Sequence, residues 1–529
     1  MGSEPGKGGP AKAPMINTLL AYVSKPLRPL MEKINVTRES HRGVFPRDVM
    51  LPEGYGIEVV ATDLNAPVHA TFGPDGACYV SESGYKIDSP PRVLRVDVVT
   101  GATETFFELP DDRWRQHGAL TGGCWLDDTF YFANNDTISR VGPDGAIEDV
   151  VTGLPWGDHM PSYPIVGPDG SIYFTVGSAT NAGVVGPDNF TFEWLRHSPT
   201  TCDIPGRDVT LAGHNYEFKD VLGSLTDTVR SGAYVPFGTE TEAGQVVPGQ
   251  VKATGSLLRL DPATGEVEQV AWGLRNAYGI DFHPDGRLFV TNHGIDERGA
   301  RFIVAAPDEF YEIHDGAWYG WPDYAAGVRL DDPRWGEEGR GREPVLAEPP
   351  DPEPPLPFVT FEDHAASNGF VFCGDPAFGF PGDAFVCLFG DVAPVTTRRS
   401  TPVGYKVVRV DMQRQEVVDF AVNRQAGPAS QLPHDGFERP CNCTFGPDGA
   451  LYVVDWGEIR LAVERGGIEM PLGSGVLWRI WPTGAEHGER PPEAESVPLT
   501  GWVGLPPLGE ATGLAKKASA AVKKALHRS

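Results

Sequence analysis

Phe72-Gly-Pro-Asp-Gly76 opens a pattern that returns three more times, as Val166-Gly-Pro-Asp-Gly170, Phe282-His-Pro-Asp-Gly286 and Phe445-Gly-Pro-Asp-Gly449. Alternating apolar residues follow every copy: Cys78-Tyr-Val80, Ile172-Tyr-Phe174, Leu288-Phe-Val290 and Leu451-Tyr-Val453. Asp-Gly supplies a tight turn and the preceding proline fixes its own φ, so each copy predicts a β-hairpin. Repetition of one hairpin along a chain is typical of proteins built from stacked or ring-arranged units.

A second pattern lies downstream of several hairpins and alternates as the outer strands of a small sheet do: Val93-Leu-Arg-Val-Asp97, Ile138-Ser-Arg-Val141, Leu258-Arg-Leu-Asp261, Val408-Arg-Val-Asp411 and Leu477-Trp-Arg-Ile480. Pairing the two patterns predicts an all-β, six-bladed propeller of four-stranded antiparallel blades. The approximate blades are 55–108, 117–152, 159–270, 273–316, 364–420 and 437–482. The second and fifth blades have degenerate turns, Trp125-Leu-Asp-Asp128 and Phe380-Pro-Gly-Asp383.

The propeller is expected over residues 51–485, between a partly disordered N-terminal extension over 1–50 and a C-terminal tail over 486–529. Insertions are expected in blade 3, at about 182–252, and between blades 4 and 5, at about 322–362. Loops of this kind on one face of a ring commonly build the mouth of a site. The tail contains a short basic helix over about 508–529, either a solvated end or a docking element.

Composition excludes several classes of function. The chain has 44 Lys and Arg against 72 Asp and Glu, a net charge of −28, which repels nucleic acid and anionic membranes. No apolar run approaches the length of a membrane span, and Leu19 to Val23 is too short for the core of a signal peptide. We therefore expect no export signal in the chain as written. Its seven cysteines do not form a disulfide scaffold and are expected as buried thiols.

Polar residues flank several predicted inner strands, where the central channel of a propeller opens. They are Gly157-Asp158-His159, Trp272-Gly-Leu-Arg-Asn-Ala-Tyr-Gly279, Thr291-Asn-His-Gly294 with Pro307-Asp308-Glu309 and Trp318-Tyr-Gly-Trp-Pro322, and Phe437-Glu-Arg-Pro440. With these motifs in this order, the chain resembles the soluble PQQ-dependent sugar dehydrogenases of the glucose/sorbosone dehydrogenase family. The resemblance covers about 55–482 and rests most on Gly273-Leu-Arg-Asn276, on Asp308-Glu309 followed by Tyr319-Gly-Trp-Pro322, and on His159 ahead of Pro168.

The resemblance implies a role for each matching residue. His159 would be the general base that takes the proton of a sugar hydroxyl, since imidazole titrates near neutrality. Arg275 and Asn276 would contact the quinone, with the guanidinium stabilising its developing oxyanion. His293 would also bind the cofactor, and Arg439 would hold one of its carboxylates.

The resemblance also implies two calcium sites. The catalytic Ca²⁺ would be held by the backbone carbonyls of Gly294 and Ile295, and a structural Ca²⁺ by Asp308, Glu309 and the carbonyl of Tyr319. Three positions depart from the family pattern: Cys441 replaces a second arginine, Phe389 ends the strand where a lysine is expected, and Ser178 replaces an aspartate. Lys406, Arg398 or Arg399 could substitute for the lysine.

The resemblance thus implies an oxidoreductase that uses PQQ and Ca²⁺ on a sugar or polyol and passes electrons to an external acceptor. Members of the family are typically exported. The alternatives are a metal-dependent lactonase or related hydrolase, and a propeller that only binds a partner. Each residue also has a simpler interpretation: His159 as a structural group, Arg275 as the partner of a channel aspartate, and Asp308-Glu309 as a solvated turn.

Overall fold

Six antiparallel sheets are arranged in a ring in the computed structural model. It describes residues 42–492, except 86, 88, 112–118, 192–193, 337–338, 394, 400, 463–466 and 485–486. The predicted basic helix at 508–529 lies outside the described residues. The prediction of a six-bladed propeller with four-stranded blades is confirmed. No helix in the described part of the chain is long and apolar enough to cross a membrane.

Each blade runs from an inner strand at the channel to an outer strand at the rim. The strands of blades 1 to 3 are Pro67–Phe72, Cys78–Glu82, Arg92–Val96 and Thr103–Glu108; Leu120–Leu126, Thr129–Asn134, Thr137–Val141 and Ile147–Val151; and Ile165–Val166, Ile172–Val176, Ser256–Leu260 and Val267–Trp272. Those of blades 4 to 6 are Ala277–Phe282, Leu288–Asn292, Pro307–Glu312 and Val359–Asp363; Ser367–Phe372, Ala384–Leu388, Lys406–Asp411 and Glu416–Asn423; and Pro440–Phe445, Leu451–Asp455, Gly475–Pro482 and Tyr55–Leu64.

The four Pro-Asp-Gly turns join the inner strand to the second strand in blades 1, 3, 4 and 6. In the first turn Gly76 has a φ of 75°, a left-handed conformation that glycine adopts without steric cost. The Asp75 side chain accepts a hydrogen bond from the N–H of Ala77 at 3.0 Å. The repeated sequence therefore specifies the same local turn at each equivalent position.

The N-terminal strand closes the ring, which corrects the predicted limits of the first blade. Tyr55–Leu64 pairs with Gly475–Pro482 as the outer strand of blade 6 and does not belong to blade 1. Val49–Met50 adds a fifth strand to blade 5 by pairing with Val422 and Asn423. The part of the expected N-terminal extension that the structure describes therefore belongs to the propeller.

Both predicted insertions leave the ring on the side of blades 3 and 4. The first connects the second and third strands of blade 3, and the second connects the third and fourth strands of blade 4, so that Val359–Asp363 completes that blade. Side chains of the two insertions share one hydrophobic cluster that includes Trp194, Trp321 and Trp335. The short elements outside the blades are the helices Pro187–Thr191 and Trp194–His197, the 3-10 turns Pro46–Asp48, Pro333–Trp335 and Ala429–Gln431, and the strand pairs Val209–Thr210 with Val246–Val247, Tyr216–Lys219 with Thr228–Ser231, Tyr324–Ala325 with Val328–Arg329, and Arg460–Ala462 with Gly467–Glu469.

The rest of the core lies between neighbouring blades, where β-branched and aromatic side chains of one sheet pack on the next. Blades 5 and 6, for example, share a cluster that includes Phe385, Phe420 and Trp478, all fully buried. The seven cysteines are free thiols, and six of them are buried, in agreement with the sequence-based expectation. His69 of blade 1 and Tyr163 of blade 3 meet with ring centroids 4.3 Å apart, and both side chains are buried.

Candidate functional site

Several of the residues predicted from the sequence gather on one face of the ring. In every blade the start of the inner strand and the end of the second strand lie on the same face, because the two strands are antiparallel. His159 and Arg275 lie ahead of inner strands, whereas Gly177 and His293 follow second strands. Residues from blades 3 and 4 that are far apart in the sequence therefore meet beside the axis.

His159 is held in one tautomer by Ser178. Its Nδ1 lies 2.9 Å from the backbone oxygen of Ser178 and 3.3 Å from the Oγ of the same residue. The Ser178 hydroxyl donates its own proton to the oxygen of Thr180 at 2.6 Å, so both Ser178 oxygens act as acceptors towards the imidazole. Nδ1 therefore carries the proton. The Nε2 lone pair makes no hydrogen bond with any residue that the structure describes.

The charge state of His159 suits a base. Burial lowers its pKa well below the ordinary value, and the positive charges of Arg275 and Arg298 lower it further. A neutral imidazole with a free lone pair is consequently the resting form at neutral pH.

Gly177 brings His159 and Asn276 together. A Cβ at position 177 would lie 2.4 Å from the Cβ of His159 and 2.8 Å from the Oδ1 of Asn276, so only glycine leaves room for both. The Nδ2 of Asn276 donates to the Nδ1 of His293 at 3.0 Å. The Oδ1 of Asn276 has no partner among the described side chains and main-chain groups.

His293 has both ring nitrogens engaged with the protein. Its Nε2 donates to the oxygen of Ser367 at 3.1 Å and to the Oδ1 of Asn368 at 2.9 Å, which leaves Nδ1 as the acceptor for Asn276. Tyr278 stacks parallel to the ring with centroids 6.0 Å apart. The sequence predicts His293 as a cofactor ligand, and the structure places it as a link between blades 4 and 5 that orients Asn276.

Arg275 presents one edge of its guanidinium to the protein and keeps the other unbonded. Its Nε and Nη2 donate to the backbone oxygen and the Oδ1 of Asn181, and Nη2 also pairs with Asp296 at 2.8 Å. Nη1 makes no hydrogen bond within the described part of the chain. The expectation that Arg275 could pair with a channel aspartate is thus met, while a donor remains available.

Arg439 does not join this group. Its Nη1 donates to the oxygens of Gly390 and Asp391 at 3.2 and 3.0 Å, and Nη2 lies 3.4 Å from the hydroxyl of Tyr405. The guanidinium lies 5.0 Å from the ring centroids of both Phe389 and Tyr405. Arg439 therefore ties blade 6 to blade 5, and its buried Nε is left without a hydrogen bond.

The positions that depart from the family pattern provide no replacement cation. The thiol of Cys441 is buried and points to the oxygens of Pro67, Val68 and Val454, away from the predicted site. Lys406 pairs with Glu362 and Asp419, and Arg399 pairs with Asp363. The guanidinium of Arg398 lies 5.0 Å from the ring centroid of Phe302.

The two predicted calcium sites differ in how well the geometry suits them. The carbonyls of Gly294 and Ile295 accept no hydrogen bond from the described residues, so both remain available as hard oxygen ligands. Asp308 and Glu309 are neighbours on one strand and face opposite sides of it. Asp308 accepts the N–H groups of Gly294 and Ser367 at 2.9 and 2.6 Å.

Glu309 accepts from the Nδ2 of Asn292 at 2.5 Å and from the N–H of Ala326 at 2.6 Å. Burial raises the pKa of Glu309 to about 7. Glu309 and Tyr319 both line a small cavity of about 10 Å³. The carboxylates of Asp308 and Glu309 thus do not form one ligand set, which corrects the predicted structural site. Among the described residues, no three His, Cys, Asp or Glu side chains form a metal-binding group.

His364 is a site residue that the sequence analysis missed. It lies three residues before the inner strand of blade 5, whereas Arg275 lies two residues before that of blade 4, and its φ of 63° is in the left-handed region. Its Nδ1 lies 3.9 Å from Asp296 and its Nε2 lies 3.6 Å from Glu297. Burial opposes its charge, but these carboxylates raise its pKa above the ordinary value. The signal was Asp363-His364 at the start of the predicted blade 364–420.

A family model described as Glucose / Sorbosone dehydrogenase matches residues 236–458. This segment contains Arg275, Asn276 and Arg439, whereas His159 lies outside it. Over 307 residues the chain is 23% identical to quinoprotein glucose dehydrogenase B of Acinetobacter calcoaceticus, a match that covers 52% of this chain and 53% of that protein. The alignment therefore spans about half the length of the curated relative.

Two solved structures share the fold at 14% identity. The holo form of the pyranose dehydrogenase PQQ domain from Coprinopsis cinerea and the calcium structure of the Trichoderma reesei carbohydrate-active enzyme family AA12 each have a TM-score of 0.52. Each superposition covers 84% of this chain and 99% of the other. The solved structures thus share the propeller fold, and residues 236–458 are similar to the glucose/sorbosone dehydrogenase family, which confirms the resemblance seen in the motifs.

Proposed function

We propose that this chain is a quinone-dependent oxidoreductase that oxidises a hydroxyl group of a sugar or other polyol. PQQ and Ca²⁺ are the proposed cofactors, and the electrons pass to an external acceptor. The curated relative is a quinoprotein glucose dehydrogenase, and one solved structure of the same fold is a PQQ domain of a pyranose dehydrogenase.

The observation that carries the proposal is a set of unsatisfied groups on blades 3 and 4. The Nε2 of His159, the Nη1 of Arg275 and the carbonyls of Gly294 and Ile295 have no partner in the described chain. They are a base, a positively charged donor and two hard oxygen ligands, which are the groups that oxidation of an alcohol by a metal-bound quinone requires. The residues on this side of the site therefore fit the proposed cofactors.

Blades 5 and 6 fit an anionic cofactor less well. Arg439 is already bonded to two carbonyls and to Tyr405. Phe389 packs edge-on against Trp456, with ring centroids 5.7 Å apart, where the family pattern has a lysine. Blades 3 and 4 would therefore supply most of the polar groups that hold the cofactor.

The proposed reaction gives this chain's residues two tasks. The Nε2 of His159 accepts the proton of the substrate hydroxyl, and Ser178 keeps the imidazole in the tautomer that can do so. Arg275 donates from Nη1 to the oxygen on which negative charge develops. PQQ, when bound, supplies the electrophilic carbonyl that accepts the hydride from the carbinol carbon.

A titration with PQQ and a dye-linked assay test the proposal. The purified chain is titrated with PQQ in the presence of Ca²⁺ and followed by absorbance, and the mixture is then assayed for dye reduction over a broad panel of sugars and polyols. Saturable binding with turnover of at least one substrate is expected. If the chain neither binds PQQ nor reduces the dye with any substrate, the proposal is wrong, and a lactone-hydrolysis assay on the same preparation tests the alternative.

A further inference from the structure

Arg298 lies at the centre of a buried ion-pair network that the sequence analysis did not identify. Its Nη1 is 2.6 Å from Asp158 and 2.9 Å from Asp188, and its Nε is 3.0 Å from Asp296. The side chains of Arg298, Asp158 and Asp188 are 3%, 1% and 4% exposed. A guanidinium can serve three carboxylates in this way because its donors point in fixed, divergent directions.

One arm of the network reaches the proposed base. Asp158 directly precedes His159, and its backbone N–H donates to the oxygen of Ala179, close to Ser178. The other carboxylate oxygen of Asp158 accepts from the Nδ2 of Asn189 at 2.9 Å and from the Nε1 of Trp194 at 2.6 Å. The two oxygens of the Asp158 carboxylate are thus bonded to different partners, one to Arg298 and the other to residues of the blade 3 insertion.

The second arm reaches the proposed oxyanion donor. The Oδ2 of Asp296 accepts from Arg298 and also from the Nη2 of Arg275 at 2.8 Å. The backbone N–H of Asp296 is fixed by the Oδ1 of Asn181, which also accepts from Arg275. One carboxylate therefore joins the two guanidinium groups and sets which edge of Arg275 remains free.

We propose that Arg298 is a positioning residue that holds the general base His159 and the donor Arg275 in a fixed mutual geometry, acting through Asp158 and Asp296. This inference rests on the proposed function of the site and extends it to a residue outside the family motifs. Asp188, Asn189 and Trp194 belong to the blade 3 insertion. In this proposal the insertion therefore also helps to position the catalytic residues. Charge alone does not suffice for this role, since a lysine ammonium has no planar fork to span the carboxylates.

Arg298→Lys is the primary test, with Arg301→Lys as the matched control. Arg301 lies in the same loop, its side chain is 0% exposed, and it pairs with Asp323 and with the oxygens of Ala182 and Pro322. Both substitutions should lower the melting temperature. Only Arg298→Lys should also reduce kcat for dye reduction, by about tenfold to a hundredfold, because small misplacements of reacting groups have effects of that size.

A second readout needs neither cofactor nor substrate. The imidazole of His159 is titrated by NMR in the cofactor-free protein, with the signal assigned from a His159→Gln sample. The groups that act electrostatically on His159 are Arg275, Arg298 and His293, together with Asp296. Arg298→Lys should raise its pKa, since at least one carboxylate loses compensation, and Arg298→Gln should raise it further, because the positive charge is then lost altogether.

The outcomes are distinguishable from a failure of the proposed function. If PQQ does not bind but the titration of His159 shifts in Arg298→Lys and not in Arg301→Lys, the positioning role stands. If Arg298→Lys matches Arg301→Lys in both kcat and the titration of His159, the inference is wrong. Trp194→Phe removes the N–H bonded to Asp158 together with the second ring of the indole, and it tests how firmly Asp158 must be held if both lysine variants fail to fold. A wild-type titration and kcat in folded Trp194→Phe would then overturn the inference.

Discussion

Replacing Gly177 with alanine should separate His159 from Asn276 without unfolding the blade. The residue follows the second strand of blade 3 and its backbone lies outside the left-handed region, so alanine causes no backbone strain there. The new methyl group would lie 2.4 Å from the Cβ of His159, whereas ordinary van der Waals contact begins at 3.4 Å. The imidazole must therefore retreat by about 1 Å.

The expected loss of turnover follows from that displacement. A misplacement of about 1 Å at a reacting group can reduce the rate by about a hundredfold, which corresponds to about 3 kcal/mol in activation free energy. Asn276 has a similar conflict, with its Oδ1 at 2.8 Å from the new methyl group, so the orientation of the bound cofactor should also suffer. We expect kcat to fall by about two orders of magnitude.

The measurement compares Gly177→Ala with Gly374→Ala. A Cβ at Gly374 would meet no heavy atom within 4 Å, which makes it a control for the same chemical change at an open position. Dye-linked oxidation is followed for both variants, together with their melting temperatures. If folded Gly177→Ala turns over at the rate of the wild type, His159 and Asn276 are not the reacting group and its neighbour, and the proposed site must be reassigned.

His159→Gln should retain PQQ affinity and lose dye-linked oxidation by at least about a hundredfold, the usual effect of removing a general base; equal activity would argue against His159 as the base. Asp281 is half-buried, and desolvation of its carboxyl group raises its pKa from 3.8 to about 7, so the stability tied to its protonated form is complete below about pH 4 and is lost as the pH rises through 7. The fall in melting temperature from pH 6 to pH 8.5 should therefore be smaller in Asp281→Asn, and an identical fall would contradict this assignment. Chelation of calcium should lower the melting temperature of the wild type, because an ion that binds only the folded chain stabilises it; no change would count against a bound calcium.

The blade architecture could be predicted because its signal is local. Each Pro-Asp-Gly turn and its flanking strands lie within about a dozen residues, and the side-chain alternation sets which face is buried. The destination of Tyr55–Leu64 could not be predicted in the same way. This strand pairs with Gly475–Pro482 at the other end of the chain, and nothing in its own sequence distinguishes blade 6 from blade 1.

The residues of the site divide in the same way into those that a local pattern identifies and those that it does not. Short motifs identified His159, Arg275, Asn276 and His293, and the structure places them together. The network around Arg298 connects residues more than 100 positions apart, and no local sequence pattern predicts such pairs. The hydrogen bonds of Arg439 to the backbone oxygens of Gly390 and Asp391 could likewise not be predicted from the sequence.

In contrast to the Arg298 network, the separation of the Asp308 and Glu309 side chains could have been predicted from strand periodicity alone. Both residues lie in the strand Pro307–Glu312, and successive side chains of a strand point to opposite faces. Reading the pair as one ligand set gave the family motif more weight than the alternation of the strand that carries it.

The pairing of Tyr55–Leu64 with Gly475–Pro482 has a consequence for biosynthesis. About 410 residues are translated between the end of the first strand and the start of its partner. At about 5 to 20 residues per second, this interval lasts roughly 20 to 80 seconds. During that time a ten-residue strand has emerged without the edge it finally occupies. The nascent chain should therefore depend on chaperones that cover exposed strands, and slowing translation of the last blade should increase aggregation of the newly made protein.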